Sequence, residues 1–294
     1  MTGTGALRHE DLSGRAGYDP DFLGPPVPLP ALTTDHPTVS LPYTHFTVLH
    51  RPDRRLAAVT ALAMDGGLLR ELDREGIPWS LDPRLPADQQ AGPAVYAHND
   101  LDRGHLVRRA SACWGRDRAE AERANVDSFH YPNAAPQAAL FNQGKQLWLG
   151  LEEYVQEHAA AYARRLVVLA GPVLDPADPP YRGVAIPLRF WKVVVFRQGE
   201  ELAATGYLLD QSPLVEDAEA AVAEALAAGE PPPLGAYRTF QVPIADIAAL
   251  AGVDLSGPAA VDLLPAGPVV EEAPPPGARR NAWVELRSFD DVRL

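Results

Sequence analysis

Thiols are nearly missing from this chain, since Cys113 is its single cysteine in 294 residues. That excludes an intramolecular disulfide framework and a structural zinc site built from several thiolates. Long apolar runs are missing as well. No stretch approaches the ~18 consecutive apolar residues of a membrane span, and Met1 to Gly24 show neither a basic start followed by an apolar run nor a cleavage pattern. The expectation is a soluble cytoplasmic protein, with export by a route that reads no N-terminal signal left open. A phosphate loop, His-Glu-x-x-His, Gly-x-Ser-x-Gly, a dinucleotide fingerprint and internal repeats are all absent, which removes the commonest nucleotide, zinc-protease and hydrolase readings.

Positive charge is also scarce: the formal net charge is −13. A whole-surface field of that sign argues against a protein that coats nucleic acid or membranes. The acidity is unevenly placed, however. Residues 201–294 hold 15 Asp and Glu against five Arg, a net of −10, which leaves −3 for residues 1–200. Between Arg103 and Arg123 six arginines, among them Arg108 and Arg109, face only Asp117, Glu120 and Glu122. A local basic strip able to support a phosphate backbone can therefore exist on an acidic protein, although such a run is equally compatible with a solvated, salt-bridged surface.

What remains is the composition of an ordinary folded protein, 46% hydrophobic and 22% charged. Residues 1–42 are rich in Pro and Gly and read as an extended arm. Residues 43–264 read as one α+β domain, and residues 265–294 as a proline-broken tail. Within the domain, Phe46–Leu49, Leu56–Ala63, Leu166–Ala170, Phe190–Phe196 and Leu202–Leu209 read as strands. Val95–His98 and Gly104–Val107 read as shorter ones, and Leu68–Glu75 as a short helix. From Pro136 the apolar spacing turns helical, through Phe141, Trp148, Leu151, Val155, Ala159 and Tyr162. Glu216–Ala228 and Ile244–Leu250 read as two further helices.

The chemistry concentrates in Asp102-Arg103-Gly104-His105, followed by Ser128 to Gln137 and then Phe141-Asn142-Gln143-Gly144. Phosphodiester hydrolysis needs a water nucleophile, a base for its proton, and positive charge where negative charge develops. His105 can be the base, with an imidazole that is largely neutral at neutral pH. One histidine among eight proves little, and only its neighbours raise it. Asn142 offers a neutral amide oxygen of the kind that suits Mg²⁺, and the same side chain could instead cap a helix. Glu152 lies ten residues further on, roughly 80° around a helix and about 15 Å along it, so it would reach an ion only through water. Glu153 lies closer to the Asn142 face.

The strings Asp-Arg-Gly-His-Leu (102–106), Asn-x-x-Pro-Gln (133–137), Phe-Asn-Gln-Gly (141–144) and Trp-x-x-Leu-Glu (148–152) together resemble the DNA/RNA non-specific endonuclease family. That family includes a Serratia nuclease and endonuclease G. The resemblance extends from about Tyr43 to Gln211 and implies a ββα-metal, or His-Me finger, nuclease fold, with a mixed or antiparallel central sheet flanked by helices. It implies a metal-dependent endonuclease acting on DNA and RNA with little sequence specificity. His105 would be general base and Asn142 the ligand of one Mg²⁺, with Mn²⁺ the other candidate ion. Asn133 would orient the site and Glu152 would hold metal-bound water. Asp102 would position the histidine loop, Arg103 would contact the phosphate, and Arg84 would stabilise the pentacovalent phosphorus. The stretch between Asn142 and Trp148 is two residues longer than in compact members, which keeps Glu153 beside Glu152 as a candidate. The implied partners are DNA and RNA and no membrane, with room for a homodimer and for a protein inhibitor. Two other readings stand beside it: a nucleic-acid-binding or regulatory relative with little turnover, and a toxin-like effector nuclease held by an inhibitor.

Overall fold

Strands β1 (Val39–Pro42), β2 (Phe46–Arg51), β3 (Leu56–Asp65), β4 (Leu101–His105), β5 (Ala134–Ala138), β6 (Arg165–Val173), β7 (Pro180–Tyr181), β8 (Val184–Ala185), β9 (Arg189–Gln198), β10 (Glu201–Asp210), β11 (Arg238–Gln241) and β12 (Val284–Leu286) carry the architecture. The computed structural model describes residues 12–138, 156, 159–213, 218–235, 238–264 and 283–286. Eight strands form one antiparallel sheet in the order β1-β2-β3-β6-β9-β10-β11-β12, and β4 pairs separately with β5.

The long central strands are apolar on both faces because both faces are covered. Side chains alternate along a strand, so Leu62 and Met64 of β3 and Phe190, Val194 and Phe196 of β9 join one cluster with Leu106, Val107 and Ala135 from the β4–β5 region. Ala61 and Ala63, with Trp191, Val193 and Val195, face the other way. There they meet Ile244 and Ile247 of the helix Ile244–Ala251, and Tyr18, Phe22 and Val27 of the N-terminal segment. Residues 12–42 thus lie against the sheet: Gly17 N donates to Tyr43 O, and the Tyr18 hydroxyl donates to Val27 O. At the far edge, β12 from the C-terminal tail pairs with β11.

Several local expectations fail for identifiable reasons. Leu68–Glu75 is not a helix beyond the 3₁₀ turn Gly66–Leu68, because the backbone groups that would continue it are used elsewhere. Arg70 N donates to Cys113 O, and Leu72 O accepts from Arg109 Nη1. Val95-Tyr96 end a helical turn (Pro93–Tyr96) rather than forming a strand, with Pro93 in its first turn where the missing N–H costs nothing. Pro136 and Gln137 are strand residues paired with Arg103 and Asp102, so no helix begins there. The helix Arg118–Asp127, unforeseen in the sequence, is capped by Asp117, whose carboxylate accepts from Glu120 N.

One glycine marks how closely the sheet is packed. Gly171 of β6 stands opposite Trp191 of β9, and a Cβ built there would lie 2.2 Å from the Ala58 carbonyl oxygen and 3.2 Å from the Trp191 ring. Gly171→Ala is therefore expected to lower stability by about 1–3 kcal/mol through overpacking. A urea titration should show a lower midpoint with the slope unchanged, and an unshifted midpoint would contradict this account.

Candidate active site around His105

His105 ends β4, and the chain returns to pair with it only at β5, through the segment 106–133. The register sets His105 opposite Ala134 and Gly104 opposite Ala135. Gly104 is dictated by its surroundings: a Cβ there would fall 2.1 Å from the Gln137 side-chain carbon, so the amide of Gln137 occupies that space. Strand alternation then sends Arg103 and His105 to one side and Asp102 to the other.

Asn133 fastens the return. Its buried side chain accepts from Val107 N (2.8 Å) and donates to Val107 O (3.1 Å) and Ser128 O (2.9 Å), while its own carbonyl accepts from Leu106 N (3.0 Å). The amide spends its acceptor and both donors on backbone groups next to His105, an orienting arrangement that only Asn or Gln chemistry can make.

The imidazole is half-buried between aromatic rings. Trp79 lies 4.6 Å from it at 48°, and Phe129 meets it edge-on at 5.1 Å. Among the described residues no group bonds its buried Nε2. Burial disfavours the imidazolium, and the positive charges of Arg74 and Arg109 add to that, so the pKa is pushed down to about 3. The result is a neutral ring whose buried Nε2 bonds no described residue.

The other expected residues fall into separate settings. Arg103 and Asp102 are exposed, and the Arg103 guanidinium lies 5.2 Å over the Tyr96 ring. Arg109 donates to Leu72 O and to Asn125 Oδ1, while Asn125 donates to Asp73 O, so the two fasten the loop that carries the exposed Arg74. Arg108 donates to Gln156 Oε1 at 2.9 Å. Arg84 is committed elsewhere: Nε and Nη2 bond the fully buried Asp82, and Nη1 donates to Pro42 O. Burial works against ionisation of Asp82, but the bonds from Arg84 and the Tyr43 hydroxyl outweigh it and hold the carboxyl below its usual range. Asn142, Glu152 and Glu153 lie outside the described residues. Among the described residues, no cluster of three His, Cys, Asp or Glu could hold a metal ion. Arg74 and Trp79 escaped the sequence reading because no spacing marks them, and Phe129, inside the Ser128–Gln137 stretch, carried no role of its own there. They reach His105 across the fold.

Two outcomes test this geometry. A histidine whose folded pKa is depressed adds stability that is present above the unfolded value of about 6.5 and is lost as pH falls from there toward about 3. Long-range ¹H–¹⁵N spectra should therefore show His105 neutral at pH 5, and titration near 6.5 would refute the assignment. Asn133→Ala should cost about 1–3 kcal/mol by stranding buried backbone groups, and should shift the His105 ring resonances. Unchanged ring shifts would contradict the orienting role.

The chain is 35% identical over 257 residues, 80% of its length, to the uncharacterized protein y4fB of Sinorhizobium fredii, and 26% identical over 147 residues, 46% of its length, to Nuclease C1 of Cunninghamella echinulata. It spans 38% and 55% of the lengths of those two relatives. The crystal structure of the EndoG/EndoGI complex, which concerns the mechanism of EndoG inhibition, contains a chain of the same fold. The two match with a TM-score of 0.55 at 16% identity, over 74% of this chain and 86% of that one. The family model for DNA/RNA non-specific endonucleases matches residues 30–260, and this chain belongs to that family.

Proposed function

We propose that this chain is a metal-dependent endonuclease that hydrolyses phosphodiester bonds of DNA and RNA with little sequence preference. The observation that carries the reading is the neutral, half-buried His105 ring, held within electrostatic reach of Arg74 and Arg109. Water attacks phosphorus as its proton passes to the imidazole. The 3′ oxygen leaves and takes a proton from solvent, so the product carries a 5′-phosphate. Because the ring does not start as an imidazolium, no deprotonation precedes the attack.

Arg74 and Arg103 supply positive charge where the phosphoryl oxygens become more negative. Arg74 takes the part that resemblance alone would give Arg84, since Arg74 is exposed and within electrostatic reach of His105 whereas the Arg84 guanidinium is spent on Asp82. Asn133 and Asp102 position the histidine strand, and Arg108 and Arg109 hold the surrounding loops. Asn142 is the proposed ligand of one Mg²⁺ or Mn²⁺, with Glu152 or Glu153 on its waters. Such an ion, when bound, neutralises charge on the phosphoryl group and the leaving oxygen.

A plasmid-nicking assay with and without EDTA tests the reading. Parent protein should nick only without chelator, and His105→Ala and Asn142→Ala should lose about 10²-fold or more of the rate. Equal cleavage by all three would sink the proposal, and salt-sensitive DNA binding without cleavage would favour a binding relative. The arginine assignment separates in the same assay. Arg74→Ala should slow cleavage with its thermal midpoint kept. Arg84→Ala should strand the buried Asp82 and cost about 3–5 kcal/mol of stability. The reverse pattern would restore the role to Arg84.

A further inference from the structure

Where the N-terminal segment crosses the start of β6 and the end of β9, Arg164, Arg165 and Arg197 line an open pocket of about 460 Å³ together with Asp21 and Phe22. Three guanidinium groups converge there on a chain whose net charge is −13. Arg165 pairs with Asp65 at 3.2 Å while 60% exposed, and Arg197 pairs at 3.2 Å with a Glu200 that is 97% exposed. The Arg197–Glu200 pair is solvent-exposed, contributes little and is screened by salt, so phosphate oxygens can take the place of Glu200, while Arg165 stays anchored by the buried Asp65 and over the Phe22 ring. Arg164 has no ion pair among the described residues; its guanidinium stands 5.4 Å over the ring of Tyr162. Tyr162 is 65% exposed, the one aromatic among the large hydrophobic side chains that the described residues leave in solvent.

We propose that this pocket is a second nucleic-acid contact. Arg164, Arg165 and Arg197 bind backbone phosphates of the strand whose scissile bond lies at His105. Arginines that track a backbone form a sequence-tolerant grip on nucleic acid. Gln156, bonded to Arg108 near the reaction centre, precedes Arg164 by eight residues. A fully extended chain covers at most about 27 Å over that interval, so Gln156 and Arg164 stand within the reach of one oligonucleotide at ~3.4 Å per nucleotide. On an acidic surface that repels phosphate elsewhere, such a patch sets the path of the substrate. This inference rests on the nuclease reading above.

The test compares Arg164→Glu and Arg197→Glu with the parent protein on two substrates. One is a labelled 20-mer oligonucleotide, bound in EDTA and cleaved in Mg²⁺; the other is bis(p-nitrophenyl) phosphate, which fills only the reaction centre. Each variant should weaken 20-mer binding about tenfold and flatten the slope of log affinity against log salt by about one contact. KM for the 20-mer should rise, hydrolysis of the small diester should stay at the parent rate, and Arg164→Lys should recover most of the affinity. Unchanged 20-mer binding and salt slope overturn the proposal, as does an equal loss on both substrates. Protection of the pocket by inorganic phosphate, with 20-mer binding unchanged in the variants, assigns it to a small anion and overturns it too. Binding is read without turnover, so a parent protein inert toward every substrate would defeat the nuclease reading while leaving this measurement intact.

Discussion

The saturated amide of Asn133 is the constraint on which the rest of the site depends. It bonds backbone on both sides of Val107 and the Ser128 carbonyl, which ties the residues just after His105 to those just before β5. Without that tie the β4–β5 pair would meet at His105 with nothing fixing the chain beyond it. With it, the imidazole is placed by the strand register, by Trp79 and Phe129, and by a clasp that tolerates no slip of one residue.

Around that fixed ring the electrostatics follow from placement rather than from composition. The chain as a whole is acidic, yet Arg74 and Arg109 are the charges that reach His105, and burial and those charges act in the same direction to keep it neutral. Carboxylates are kept busy elsewhere. Asp82 is neutralised by Arg84, and Asp127 accepts from Arg15 and Thr44, so these two buried acids serve packing.

Most of the fold was legible because its strands are long, apolar and bounded by turns. β2, β3, β6 and the β9–β10 hairpin fall where alternation and apolar runs put them. The misreadings share one cause, tertiary demand on backbone groups. Leu68–Glu75 has helical spacing but gives its hydrogen bonds to Cys113 and Arg109, and Pro136-Gln137 serve β4 instead of opening a helix. The site divides in the same way. The Asp-Arg-Gly-His and Asn-x-x-Pro-Gln strings mark the segments that pair as β4 and β5, although the apolar spacing from Pro136 onward reads as helix. Arg74 and Trp79 could not be named, since their nearness to His105 exists only once loops from three parts of the chain have closed.

That closure gives the long excursion between β4 and β5 a further meaning. Bringing Gly104 against Ala135 costs the entropy of ordering everything from 106 to 133, and little is returned until the helix Arg118–Asp127, the arginine-held loop and the Asn133 clasp are all in place. A partly synthesised or partly unfolded chain therefore has a solvated histidine of ordinary basicity and no cationic pocket. The neutral ring is an emergent property of the finished domain, present only after the last loop has locked.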